Sequence, residues 1–414
     1  MSVSLLPRHI PPTATPLSAA EWVQGMGAPV VTNSDFAAAL RTYLGIPYLF
    51  LASSGRTALR LLFDTLRRQP HLARREEVVL PGYTCPSVAK VVLDAGLTPR
   101  LVDLDPMTLN YLPDALPAAT SEKTLAVMVV HPFGIGVAME PALAAAQAVG
   151  ALVIEDAAQS LGARVDGQPV GTQGHVGLYS LGPGKPLALG GGGVIATADE
   201  ALAASLAESW STLPIPARTA AGWAWMRLGL FSLAFHPPLW WLATRLGAQR
   251  VGDNEASWGY QMTGFAPSQA AVGLALLPKL DAMNQQRRQR ACQLLAGLQD
   301  LPALSFPALA SAGSMGERGQ PIYLRLPLLT GTPAQADALF TTLTNAGIGV
   351  GRMYRRTLPE FFPQLTGFPL AGSERVARTL LTLPTNHHLT AADLARIPEL
   401  VHKGMETAQF FSLA

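Results

Sequence analysis

Cysteine is scarce in this 414-residue chain, which has only Cys85 and Cys292. Two thiols more than 200 positions apart form neither a disulfide framework nor a metal-ligand cluster, and they suit a reducing cytoplasm. Charge is also sparse. Asp, Glu, Lys and Arg make up 14% of the residues, and 30 basic side chains nearly balance 28 acidic ones. No run of five or six like charges occurs, so no nucleic-acid partner is expected. The histidines are scattered, and the adjacent pair His387-His388 has no i, i+4 companion, so no metal site is expected. The opening MSVSLLPRHIPPTATP lacks the apolar core and small-residue cleavage site of a secretory signal. An uninterrupted apolar run of the roughly 20 residues needed to span a membrane is missing as well.

What the chain has is apolar bulk. Hydrophobic residues make up 49%, which excludes a disordered chain, and irregularly placed Gly and Pro exclude a fibrous one. The length suggests two or three structural units. After a Pro-rich arm over 1–32, short apolar runs alternate with helical ones: Val78–Leu80, helix at Ala89–Ala95, Arg100–Asp103, Leu125–Val130, helix at Pro141–Val149, then Ala151–Ile154. Strands apolar on both faces and separated by helices predict an α/β fold whose mostly parallel sheet is covered on both sides. Its chemistry belongs at the carboxyl ends of the strands. A long connecting helix is predicted over Ser268–Leu298. A smaller α+β unit follows, with a strand at Ile322–Leu326, a helix at Pro333–Ala346 and a last helix capped by Thr390. The expected division is a large domain over 33–275 and a connecting helix with a small domain over 276–414.

Four features fall at predicted strand ends. Ser54-Gly55-Arg56 exposes the free N–H groups of a helix start to an anion, and Ser54 equally reads as a plain N-cap. Asp156, in the stretch IEDAAQ, ends a buried apolar strand, where a carboxylate is costly unless it meets a cation; it also reads as a helix cap. Lys185 is a lone lysine between Gly182-Pro183-Gly184 and the apolar PLALGGGGVIAT, surroundings that lower an amine's pKa as a covalent nucleophile requires; an exposed loop lysine is the alternative. The Gly190–Gly193 run is uninformative alone.

Taken in order, SSGRTAL, PGYTCPS, VDLDPMTLN, VVHPFG, IEDAAQSLGA, GLYSLGPGKPLALGGGGVIAT and SQAAVGLALLPKLD, from Ser53 to Asp281, resemble the DegT/StrS-type family of pyridoxal-phosphate-dependent sugar aminotransferases. TLLTLPTNHHLTAADL is similar to the family's closing pattern. The resemblance implies a fold-type-I large domain with a seven-stranded sheet and a smaller C-terminal domain. It implies that Lys185 holds pyridoxal 5'-phosphate as an internal aldimine and shuttles protons, and that Asp156 pairs with the pyridinium nitrogen. Gln159 then lies near the phenolic oxygen, and Ser54, Gly55, Arg56 and Ser180 bind the phosphate. The enzyme would alternate with pyridoxamine 5'-phosphate while moving an amino group, usually from L-glutamate, to a keto sugar on a nucleotide or lipid carrier, in glycan, lipopolysaccharide or secondary-metabolite assembly. It also implies a homodimer with a shared active site.

Departures from the pattern bear on the substrate. An aromatic ring that usually stacks on the cofactor is replaced by Cys85, so either Cys85 covers the ring or Tyr83 does, a buried structural thiol being preferred to a reactive one. Gln261 stands where an asparagine usually serves the partner's cofactor phosphate. Arg352, Tyr354, Arg355 and Arg356 stand where a Tyr and a His are usual, and read as an anion subsite or as solvated surface. The resemblance lapses over about 208–258. There Gly222–Leu246 holds four of the seven tryptophans and is divided by Pro237-Pro238. Two readings stay open for it: two short helices resting in a membrane interface, or a hairpin buried in a dimer or covering the site. The expected location is the cytoplasm, peripheral on the inner face of the cytoplasmic membrane under the first reading. A dehydratase or lyase using the same cofactor, and a non-catalytic binding or regulatory protein, are the alternatives; retention of Asp156, Gln159, Ser180 and Lys185 weighs against both.

Overall fold

The computed structural model describes residues 8–27, 32–246, 259–307 and 319–412, with side chains to 407. Its centre is a seven-stranded sheet built from β1 (Tyr48–Ala52), β2 (Glu77–Pro81), β3 (Thr98–Val102), β4 (Thr124–Val130), β5 (Leu152–Asp156), β6 (Val176–Ser180) and β7 (Gly193–Thr197). The spatial order is β1-β7-β6-β5-β4-β2-β3, and β7 alone runs antiparallel to its neighbours. This is the α/β architecture expected from the apolar runs. β4 shows why: in TLAVMVV the first six side chains are buried, so the strand cannot alternate toward water and must be covered on both faces. One face packs against helices Gly55–Arg68 and Pro86–Asp94, through Leu59, Leu62, Phe63 and Val88. Helix Asn33–Leu44 supplies Phe36 and Leu40 to a core on the other face, and helix Glu140–Val149 supplies Ala142 and Ala146 to another.

A second core surrounds the three-stranded antiparallel arrangement of Leu304–Ser305, Arg325–Thr330 and Leu380–Pro384, roofed by helices Pro333–Asn345 and Ala391–Ser412. Two expectations shift here. The strand expected at Ile322–Leu326 begins at Arg325, because the Ile322 N–H donates instead to the Gly134 carbonyl at 2.8 Å and Tyr323 takes a left-handed φ of 45°. The helix expected over Ser268–Leu298 is two, Pro267–Leu276 and Leu280–Ala296, separated by a 3₁₀ turn at Leu277–Lys279. Pro278 lies in that turn and has no N–H to continue the helical ladder.

The first described residues of the N-terminal arm are tied to the C-terminal part of the chain. Ile10 bridges Ile348 in parallel, the Asn386 amide donates to the Pro11 carbonyl at 2.8 Å, and Arg8 pairs with Asp393 at 2.7 Å. The apolar segment forms two helices, Arg218–Ala234 and Pro237–Arg245, the second opening with Pro at its first turn. Residues 247–258, the rest of the stretch where the resemblance lapses, lie outside the described residues.

Candidate active site

The carboxyl ends of β1, β2, β4, β5 and β6 open into a cavity of about 560 Å³ lined by Ser54, Gly55, Arg56, Tyr83, Cys85, Asp156, Gln159, Ser180 and Lys185. Nine of the ten site residues read from the sequence therefore meet in one place. Gln261 does not. It is exposed, and its backbone carbonyl accepts from the Ser53 hydroxyl at 3.0 Å and the Thr57 hydroxyl at 2.8 Å, beside the start of helix Gly55–Arg68.

That helix start is an anion-shaped cradle. The Ser54 hydroxyl accepts the Thr57 N–H at 3.1 Å, so Ser54 is an N-cap as well as a cavity residue. Close approach of the chain here requires glycine: a Cβ on Gly193 would lie 2.3 Å from the Ser54 carbonyl oxygen, and one on Gly192, at φ 121°, would lie 2.5 Å from the Phe265 ring. Ser180 faces Gly55, where an added Cβ would come within 3.7 Å of the serine Cβ.

The two carboxylates that end β5 have opposite fates because strand side chains alternate. Glu155 turns away from the cavity and is completely buried. It accepts from Gly171 N at 2.7 Å, Gln173 N at 2.6 Å and His131 Nε2 at 3.1 Å. The His131 Nδ1 accepts from Val137 N at 3.1 Å, which places the ring proton on Nε2. Burial raises the Glu155 carboxyl, but the His131 and backbone hydrogen bonds more than offset it and leave the pKa lowered. Asp156 turns into the cavity, 6% exposed. It accepts one backbone bond, from Ala158 N at 3.0 Å, and no ion pair neutralises it among the described residues. Burial holds its pKa up against the pull of Lys185.

Lys185 sits on the loop between β6 and β7. Enclosure by protein lowers its amine pKa; Cys85 and Asp156 act against that fall and Arg325 adds to it. Gln159 accepts the Phe133 N–H through its side-chain oxygen at 3.2 Å. Tyr83 is buried and donates its hydroxyl to the Met353 carbonyl, and burial raises its pKa. Cys85 is only partly buried, on the cavity wall, with its sulfur 3.0 Å from the Ser87 hydroxyl, so the expectation of a buried structural thiol is corrected. It is the N-cap residue before Pro86 and packs against two of the hydrophobic cores while leaving its sulfur at the cavity.

Four further elements form the wall; the sequence offers the hairpin as one that covers the site and does not mark the arm or Arg325. The Thr84 hydroxyl is buried without a partner. The arm contributes Pro12 and Thr13, and the inserted hairpin contributes Arg227, Phe231 and Phe235. Strand residue Arg325 lines the cavity, whereas Arg352, Arg355 and Arg356 do not. Arg352 is occupied by Asp337 and by the Arg378 carbonyl at 3.0 Å, and Arg355 and Arg356 lie over the rings of Phe340 and Phe361. Of Arg352, Tyr354, Arg355 and Arg356, Tyr354 alone reaches the cavity, beside Met353. No local signal marks Arg325, which in sequence is one polar residue in an apolar strand.

The fold is shared with solved sugar aminotransferases. The aminotransferase TlmJ from Streptoalloteichus hindustanus superposes with a TM-score of 0.77 at 22% identity, covering 96% of this chain and 99% of that one. Helicobacter pylori PseC, an aminotransferase of pseudoaminic acid biosynthesis, gives 0.77 at 18% identity, covering 97% and 100%. In sequence, the GDP-perosamine synthase of Caulobacter vibrioides is 35% identical over 185 residues, which is 45% of this chain and 48% of that protein. Protein MosB of Rhizobium meliloti is 36% identical over 181 residues, 44% and 34% respectively. The chain thus aligns with about a third to a half of the length of these curated relatives. The DegT/DnrJ/EryC1/StrS aminotransferase family model matches residues 17–402, nearly the whole chain with every cavity residue above except Pro12 and Thr13, and the chain belongs to that family.

Proposed function

We propose that this protein is a pyridoxal-phosphate-dependent aminotransferase that passes an amino group from an amino acid, L-glutamate in the first instance, to a keto sugar. The observation that carries the reading is that Lys185 and Asp156 line one cavity: an amine made less basic by enclosure, and a buried carboxylate without an ion-pair partner among the described residues. Three features fit the cofactor. The unneutralised Asp156 suits a protonated pyridine nitrogen, the side-chain-free cradle at Gly55, Gly192 and Gly193 suits a phosphate, and the unpartnered Thr84 hydroxyl offers a donor. Bound there, the cofactor supplies an electron sink for the carbon that carries the amine.

In this reading Lys185 holds the cofactor covalently and, once released, takes and returns the proton at that carbon. Asp156 keeps the ring nitrogen protonated. Gln159 orients the ring from the phenolic side, Tyr83 and Cys85 cover it, and Ser54, Gly55, Arg56 and Ser180 take the phosphate. Gln261, outside its own cavity, serves the partner subunit of a homodimer. The test is an absorbance spectrum of the purified protein before and after excess L-glutamate. The expected result is a cofactor band that converts to that of the aminated form. A band unmoved by glutamate or any other amino acid defeats the reading of the reaction, and no band even after added cofactor defeats the reading as an enzyme of this type.

We infer further that the acceptor is carried on a lipid, because the inserted hairpin links the cavity to an apolar outer face. Of the twelve large hydrophobics exposed among the described residues, eight lie in it: Trp223, Met226, Leu230, Phe231, Leu233, Leu239, Leu242 and Leu246. Phe231 belongs to both the cavity wall and the outer face. Between Glu208 and Asp253 the sequence has no carboxylate side chain but has Arg218, Arg227, Arg245 and Arg250, which favours an anionic surface. No described helix is long and apolar enough to cross a membrane, so the contact is peripheral. The protein should co-sediment with phosphatidylglycerol vesicles and not with phosphatidylcholine vesicles, and Leu230→Glu with Leu233→Glu should release it. Equal recovery in the supernatant with both vesicle types counts against the lipid surface and leaves a contact between subunits.

A further inference from the structure

Four of the eight histidines meet at one joint, where the arm, the inserted hairpin and the small domain come together. His236 is the N-cap of helix Pro237–Arg245, at the elbow of the hairpin, and its ring meets that of His388 edge-on with centroids 5.3 Å apart. His387 and His388 lie on the turn before the last helix, their ring centroids 4.0 Å apart. His9, buried on the arm, donates its backbone N–H to the Pro237 carbonyl at 3.3 Å, and its Nδ1 lies 3.5 Å from the Thr244 hydroxyl on the second hairpin helix.

The free charge around these rings is positive. Arg8, on the arm, donates to the His388 carbonyl and is held by Asp393 of the last helix at 2.7 Å. Arg287 and Arg290 of helix Leu280–Ala296 act on His387, and Arg8 and Arg290 act on His388. Arg245 of the hairpin lies over the Trp241 ring. Two carboxylates are near, and both are engaged. Asp393 also accepts the Thr390 N–H at 2.8 Å, and Glu21, which shares a small cavity with His387, pairs with Lys279. None of the four rings has an ion-pair partner among the described residues, and His387 Nδ1 is buried without a hydrogen bond. Burial and the neighbouring cations hold His387 down to about 4 and His388 down to about 3, and burial lowers His9.

We propose that this joint is a proton-operated latch on the hairpin: neutral imidazoles close the elbow onto the arm and the small domain, and their protonation in mild acid frees it. Rings packed this closely among arginines have no room for further positive charge, which repels strongly at such distances. Once freed, they return to the ordinary histidine value of about 6.5. Below that value the open form binds more protons than the closed one, so opening gains as pH falls. Each ring kept neutral by closure contributes up to about tenfold per pH unit, and screening at these half-buried rings reduces it. His387 and His388 together should therefore shift opening by about tenfold between about pH 7.5 and about pH 5.5. The first hairpin helix supplies Arg227, Phe231 and Phe235 to the cavity wall, so release uncovers one side of the site.

Backbone hydrogen exchange of the full chain, read by mass spectrometry at both pH values and corrected for the intrinsic effect of pH, tests the latch without reference to the reaction catalysed. Peptides from Pro237–Arg245 should lose about tenfold in protection in acid, while those from β5 keep theirs. The double variant His387→Gln with His388→Gln cannot take up these protons, and its hairpin should respond little to pH. Should the double variant not fold, His388→Gln alone should reduce the response to about threefold. Hairpin protection that is equal at the two pH values, that falls together with β5, or that falls as far in the variants as in the wild type overturns the latch.

Discussion

Lys185→Ala should reduce turnover by about 10⁵-fold or more while the protein remains folded. The size of the effect follows from the role: one amine both holds the cofactor and moves the proton, so no neighbouring group substitutes for it. Cys85, whose thiol lies on the same wall, has no amine nitrogen with which to form that link. Folding should survive because Lys185 belongs to the loop between β6 and β7 rather than to a packed element. Removing the side chain also takes a charge out of an enclosed place. Circular dichroism and a melting curve, run beside the assay, separate loss of chemistry from loss of fold. A Lys185→Ala variant with measurable steady turnover would sink the assignment of the site.

Asp156→Asn should lower turnover by about a hundredfold or more, since the change keeps shape and the Ala158 hydrogen bond and removes only the charge that holds a ring nitrogen protonated. The same substitution carries a stability signature that activity cannot mimic. Burial raises the Asp156 pKa in the folded cofactor-free chain above its unfolded value. The folded state then binds more protons than the unfolded state in the interval between the two values. Stability is therefore lost as pH rises through that interval. Cofactor-free Asp156→Asn should melt above the cofactor-free wild type at neutral pH, and the gap should close in acid. With cofactor bound the order should reverse, because the wild-type carboxylate then has its cation. Identical melting behaviour of the two proteins in both states would mean that Asp156 carries no uncompensated charge and does not meet a cationic ring.

The parts of the molecule legible in the sequence are those set by near neighbours along the chain. Leu125–Val130 could only be a strand covered on both faces, and β4 is one. Asp156 could be placed in the site because it ends such a strand, at the edge where parallel sheets hold their chemistry, and its neighbour Glu155 points away because side chains alternate. The Gly-Pro-Gly loop before Lys185 and the glycine run after it mark a chain that leaves room beside a lysine. Pro278 broke the helix predicted from Ser268, a signal present in the sequence and outweighed there by the apolar periodicity around it.

The sequence by itself determined the alternation of strands and helices, the sheet covered on both faces and the strand-end positions of Ser54, Gly55, Asp156 and Lys185, because backbone patterns depend on local spacing. The count of seven strands and the places of Gln159 and Ser180 came from the resemblance of its ordered motifs to the family. Tertiary structure alone decided which cations face the ligand. Arg352, Arg355 and Arg356 form the conspicuous group in the chain, yet Asp337, Phe340 and Phe361 engage them away from the cavity, while the inconspicuous Arg325 is carried in by the pairing of its strand with Leu380–Pro384. Tertiary structure likewise turned one face of the inserted hairpin toward the cavity through Arg227 and Phe231 and left the other outside. The physical reason is the same in both cases. Where a side chain points is set by the packing of segments far apart in the chain, and the charge or bulk of a residue carries no record of which distant surface it will meet.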